Sequence, residues 1–187
     1  MSTPPTRRKP RTDAERNRDR VLEAARALFA EHGYDVQMSE VARVAGVGVG
    51  TLYRKFPTRE ALIEAVAERR SAELVAFARE RCLAEGDPSQ ALARFLRHVG
   101  EVLADHRGMS EVIEQAMGST EPQGEPRAKL HAVVGELIDA ARAGGTVGPD
   151  VTAADVNMVV CGLAAVIRHS AGDWRRFTEI ALSGLRP

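Results

Sequence analysis

The sequence has few aromatic residues, few cysteines and no long apolar run. Aromatics are 4% of the 187 residues. Strands favour aromatic and β-branched side chains, whereas helices favour the Ala, Leu, Arg and Glu that dominate here, so the expected class is all-α. The longest strongly apolar stretch, Val156 to Ile167, is 12 residues long and contains Asn157. A membrane-spanning helix needs roughly 20 apolar residues, so none is expected. The basic, proline-bearing start has no apolar run behind it, unlike a secretory signal. The two cysteines, Cys82 and Cys161, each sit in an apolar helical pattern without a CxxC neighbour. They read as reduced packing residues of a cytoplasmic protein. Net charge is also absent, with 26 Lys+Arg against 26 Asp+Glu.

The zero balance conceals a division. Residues 1–59 hold 12 Lys/Arg and 7 Asp/Glu, and residues 60–187 hold 14 and 19. A basic first third on an acidic remainder suggests a polyanion-binding head on a body with another task. Residues 1–11 lack periodicity and hold three prolines and four basic residues, the pattern of a flexible basic arm. Thr12-x-x-Glu15 opens a helix as a capping box, Val21, Leu22, Ala25, Leu28 and Phe29 form its apolar stripe, and Gly33 ends it. Ser39 is the expected N-cap of a short helix to Ala45, and a second short helix spans about 49–55. Pro57 stops it, and Thr58 caps a long helix to about Glu85. Asp87-Pro88 starts another, a shorter one lies near 110–117, and 118–126 reads as a loop. Three further segments follow: a helix around Leu130–Ala141, one opened by Thr152-x-x-Asp155, and one carrying Trp174 and Phe177. About nine helices result. The expected organisation is an arm (1–11), a helix-turn-helix head (12–57) and a helical body (58–187).

Residues 38–56, MSEVARVAGVGVGTLYRKF, carry the chemistry. Two short helices joined by a glycine-containing turn make a helix-turn-helix. Val41, Ala42, Ala45, Leu52 and Phe56 face inward, and Val47 plugs the turn. That leaves Gly50, Thr51, Tyr53, Arg54 and Lys55 outside, where hydroxyls and cations suit phosphates and base edges in a major groove. Arg7, Arg8, Lys9 and Arg11 are suited to a neighbouring minor groove. Gly46-x-Gly48-x-Gly50 follows a helix rather than a strand, which argues against a nucleotide-binding loop.

At these residues the chain resembles the TetR-type (tetracycline-repressor-like) family of bacterial transcriptional regulators. The matching segments are Phe29-Ala-Glu-His-Gly33-Tyr34, Val41-Ala42-Arg43-Val44-Ala45-Gly46-Val47, Gly50-Thr51-Leu52-Tyr53-Arg54-Lys55-Phe56 and Arg59-Glu60-Ala61-Leu62, within residues 15–65. The chain departs from the family at Gly48, which removes a side-chain cap, and at Val49, which replaces a polar contact with a group suited to a thymine methyl. The resemblance implies that Tyr53 and Lys55 touch phosphates or base edges and that Thr51 lies close by. It also implies that Arg59 meets a phosphate at the start of the fourth helix, with Arg43 adding to the contact. It further implies a repressor that leaves a near-palindromic DNA operator when a small molecule enters the body.

The helix at 156–167 is apolar nearly all round, so it must be covered either within the chain or by a second subunit. The resemblance implies a homodimer built on the last two helices, with Val159, Leu163, Trp174, Phe177 and Ala181 as candidates. His98, His106 and His131 are candidate polar anchors of a ligand pocket, and Met109, Met117 and Met158 candidate adaptable walls. No histidine among the five forms an HxxxH pair or neighbours a cysteine pair, so no metal or other cofactor is expected. An enzyme is the rival reading, but the chain has no nucleophile elbow, metal pair or carboxylate dyad. Arg94 and His98, four apart, suit an anion or plain solvent equally. An adaptor that has lost nucleic-acid binding is the other rival, against which the intact Thr51, Tyr53 and Lys55 set argues.

Overall fold

A computed structural model of the chain describes residues 13–85, 87–119 and 122–187. The expected cap Thr12 and the cations Arg7, Arg8, Lys9 and Arg11 lie outside these. Among the described residues the fold is all-α, with nine α-helices and no strand. They are α1 (Asp13–His32), α2 (Met38–Ala45), α3 (Val49–Lys55), α4 (Arg59–Phe77), α5 (Ala91–Asp105), α6 (Arg107–Met117), α7 (Gly124–Ala143), α8 (Ala153–Arg168) and α9 (Trp174–Gly184).

Local chemistry sets most boundaries. Gly33 ends α1 with φ 78°, and its N–H donates to the Phe29 carbonyl at 3.0 Å. Thr58 caps α4, its hydroxyl accepting from the Ala61 N–H at 3.0 Å. Thr152 and Asp155 form the expected reciprocal box at the start of α8. Several boundaries differ from expectation: α6 starts at Arg107, and the segment opened by Asp87 begins as a short 3-10 turn, Pro88–Gln90, before α5. Ser39 lies inside α2, because buried Met38 is drawn into the first turn and Gln37 precedes it in extended form. The long fourth helix changes register after Phe77 and continues as π-helix through Ala78–Ala84, burying Ala78 and Cys82. Helix α7 starts at Gly124, within the stretch expected to be loop. Pro126 falls in its first turn, where the missing N–H has no intrahelical partner to lose.

Two apolar cores result. The head core joins Leu22, Phe29, Val41, Leu52 and Phe56 to Leu62, Ile63 and Val66 of α4. It also takes in Met109, Val112 and Ile113 of α6. The body core joins Phe95, Leu96, Val133, Leu137, Val156 and Leu163. Helix α4 therefore contributes to both units, with its first half in the head and its π-helical continuation in the body. Helix α6 packs on α1 and α4. Gly108 makes this approach possible: a Cβ there would lie 2.1 Å from the Ala30 carbonyl oxygen.

Candidate nucleic-acid interface

The turn between α2 and α3 is closed by backbone hydrogen bonds. Gly46 takes the left-handed conformation, φ 64°. Its N–H donates to the Arg43 carbonyl at 3.2 Å, and the Val47 N–H donates to that of Ala42 at 3.0 Å. This paired termination suits glycine and sets the next helix at an angle. Val47 packs against the head core. The Gly48 carbonyl then accepts from Thr51 and Leu52 at 2.9 and 3.0 Å, opening α3. No side chain caps it.

The underside of α3 is anchored by buried Leu52 and, just past its end, Phe56. Its outer side stays open: Val49 is 43% and Tyr53 47% exposed, with Gly50 and Arg54 also exposed. A Cβ at Gly50 would meet nothing within 4 Å, so its bare backbone leaves room for another surface to come close. Arg54 Nη2 donates to Thr51 Oγ1 at 3.2 Å. Lys55 Nζ donates to the Ala14 carbonyl at 2.9 Å, tying the end of α3 to the start of α1. Arg43 is exposed on α2, 3.8 Å from Glu40. Arg59 lies over the Tyr34 ring at 5.0 Å, and the Tyr34 hydroxyl donates to the Glu60 carboxylate at 2.5 Å. That bond holds the Glu60 carboxyl below the usual carboxylate range and raises the Tyr34 phenol.

A second feature lies in the body. Helices α4, α5, α7 and α8 enclose an apolar cavity of about 100 Å³, lined by Leu74, Phe95, Val134 and Val156 among others. The polar groups on its wall include Arg70, His131 and Asn157. Arg70 Nη1 donates to Ser110 Oγ of α6 at 3.0 Å. Burial lowers the guanidinium pKa, yet an arginine side chain remains charged in a protein.

Comparison with known proteins agrees with this architecture. Residues 21–66 match the family model described as bacterial regulatory proteins, tetR family. Residues 87–187 match that of the transcriptional regulator SbtR-like C-terminal domain. The crystal structure of a TetR transcription regulatory protein from Mycobacterium vanbaalenii is 38% identical, with a TM-score of 0.72. That likeness covers 94% of this chain and 98% of the other. The chain belongs to the TetR family of bacterial transcriptional regulators. The TetR transcriptional regulator SCO0520 from Streptomyces coelicolor is similar at 34% identity and TM-score 0.69, over 91% of this chain and 98% of that one. The HTH-type transcriptional regulator SAR0097 of Staphylococcus aureus is 41% identical over 66 residues, about a third of either chain.

In this TetR-family chain the α3 residues expected from the sequence stand together around one short helix. The pocket candidates do not. His131 alone among the six lines the cavity. Met109 is buried in the head core, and Met117 packs against it, because α6 turns toward α1. His98 stacks on Phe77 at 3.6 Å. His106 Nε2 accepts from Arg26 Nη1 at 3.0 Å, joining α1 to the α5–α6 corner. Met158 is 67% exposed on the outer side of α8.

The candidates for a subunit interface also divide. Leu163 is fully buried in the body core, so it has no surface to offer a partner. Trp174 and Phe177 are partly buried within the chain, seated on Gly100 of α5 and Gly162 of α8. Val159 and Ala181 remain partly open. Exposed Cys161 departs from the expected packing role, and exposed Ile180 joins Met158 as surface apolar groups on the last two helices. The helix at 156–167 is thus covered on one side only. Local pattern did not mark Arg70, Asn157, Ser110 or Gly108, whose significance depends on helices distant in the chain. Among the described residues no group of three or more His, Cys, Asp or Glu is placed to hold a metal ion, and no helix is long and apolar enough to cross a membrane.

Proposed function

We propose that this TetR-family chain acts in the cytoplasm as a homodimeric repressor that binds duplex DNA and leaves it when a small molecule enters the body. The observation that carries this reading is the outer side of α3: Gly50, Tyr53, Arg54 and Lys55 exposed on a helix anchored by Leu52 and set by a complete turn. A short helix of this kind enters a major groove, with hydroxyl and cationic groups on phosphates and base edges. Thr51, Tyr53, Arg54 and Lys55 are the proposed contacts, with Arg43 and Arg59 on flanking phosphates and residues 1–11 as an added arm. The head (12–57) then reads DNA, and the body (58–187) receives the ligand and pairs with a second copy. The apolar groups on α8 and α9 that the single chain leaves open, Met158 and Ile180 foremost, support this pairing, since exposed apolar side chains gathered on one face suit an interaction site.

Two copies related by a twofold axis present two α3 helices roughly 34–36 Å apart, which calls for a near-palindromic operator. The ligand acts through volume. Drug-sized sites are about 300 Å³ or more, whereas the cavity here is about 100 Å³. Any molecule larger than this opening must move α4 and α8 apart, and α4 carries that movement into the head core. Coupling is reciprocal, so DNA weakens ligand binding by the same factor. Footprinting on the DNA upstream of the gene tests the reading. Two protected half-sites about one helical turn apart support it, and a single or absent footprint contradicts it.

A further inference from the structure

Two neighbouring arginines on α4 have opposite surroundings. Arg69 lies 3.0 Å from Glu73, 3.8 Å from Asp19 and 4.0 Å from Glu23. Arg70, on the wall of the cavity, has no carboxylate within 4 Å among the described residues. Its one hydrogen-bond partner among them is the Ser110 hydroxyl. A guanidinium offers five N–H donors in a planar fork, and one hydroxyl satisfies a single donor. Arg70 is half-buried, and drawing such a charge partly away from water without a counter-ion is unfavourable. The rest of the wall is mainly aliphatic, with Phe95, and with Asn157 and His131 as further polar groups.

We infer that the cavity takes a compact apolar molecule bearing one carboxylate, whose head group pairs with Arg70. The inference rests on the body being an effector site and adds the chemical class. A carboxylate accepts two parallel N–H bonds from a guanidinium, the geometry that one hydroxyl cannot supply. The size is consistent with a single ring: a dry apolar cavity of about 150 Å³ admits benzene, so a ring acid fits an opening near 100 Å³ after modest widening. The same pairing provides a route to the head. The carboxylate competes with Ser110 for Arg70 Nη1, and Ser110 sits on α6 beside Met109, whose side chain lies in the head core. Taking the guanidinium away from Ser110 loosens α6 from α4.

Titration calorimetry of the full chain with benzoate and cyclohexanecarboxylate, against benzamide and benzylamine of matched shape, tests this. The acids are expected to bind about ten-fold tighter or more than the neutral and cationic probes. Arg70→Met is expected to abolish the difference, and Arg70→Lys to keep part of it. Equal affinities across the series in the wild type, or no binding of either acid, overturn the inference without reference to any variant. So does an acid preference that survives in a folded Arg70→Met protein. DNA release separates the two claims. If benzamide frees DNA and benzoate does not, the effector site stands and the acid is wrong. If benzoate binds through Arg70 and DNA binding is unchanged, the acid stands and the effector role is wrong.

Discussion

Single residues decide how closely helices of this fold approach. At Gly108 the α6 backbone meets the Ala30 carbonyl, leaving no room for a methyl group. Gly108→Ala must push α6 off α1, and overpacking of this kind destabilises by about 1–3 kcal/mol. In a chain of this length that lowers the melting temperature by roughly 2–4 °C per kcal/mol, measurable by circular dichroism. At the same corner His106 accepts from Arg26, which requires a neutral ring. Burial first, then Arg26, holds its pKa below the ordinary histidine value, with Asp105 and Glu23 opposing and Arg70 adding to the depression. The folded state thus resists a proton that the unfolded chain accepts near pH 6.5. The contribution is fully present above that pH and is lost as pH falls through the depressed folded value. Stability should therefore decline as pH falls below about 6.5, and His106→Gln should flatten that part of the profile. A chemical-denaturation series across pH with both proteins checks it.

At the scale of elements, the helix-turn-helix was legible because its signals are local. The left-handed glycine, the plug at Val47 and the spacing of Leu52 and Phe56 all lie within ten residues of one another. Positions defined by distant helices were not legible. Met109 and Leu163 share the apolar spacing of any pocket wall or interface, and only tertiary packing puts them in two different cores. Arg70 looks like one more solvated cation until α6 packs on α4 and brings Ser110 to it. The last helix shows the same dependence. Its two aromatics occupy hollows left by Gly100 and Gly162, and Arg97 of α5 binds Glu179 through two hydrogen bonds of 2.8 and 3.2 Å. A Cβ at residue 100 would lie 2.4 Å from the Trp174 ring. Gly100→Ala is expected to displace α9 and expose that ring. Trp174 is the only tryptophan, so a red shift of its emission reports the change directly, and an unchanged spectrum contradicts the packing described.

For the whole molecule, charge and apolar surface are segregated in ways that match the proposed division of labour. Residues 13–59 carry eight Lys/Arg against seven Asp/Glu, so most of the basic excess of the first third belongs to the segment before the first helix. Removing residues 1–11 should weaken DNA binding evenly across sequences and reduce its salt dependence, without altering which operator is chosen. A titration series over salt concentration reads both effects. At the opposite end, Met158 and Ile180 present apolar groups to solvent in the single chain. If α8 and α9 pair as proposed, Met158→Asp with Ile180→Glu is expected to yield a folded single subunit by sedimentation, because like charges would face each other across the proposed twofold axis. DNA binding through α3 is tested most directly by the affinity of Tyr53→Ala with Lys55→Ala for the operator, measured by fluorescence anisotropy against random competitor duplex. Each lost groove contact costs about 1–3 kcal/mol, so the double variant, with fold and oligomeric state unchanged, is expected to bind roughly thirty-fold or more weakly. Operator affinity equal to that of the wild type would contradict it.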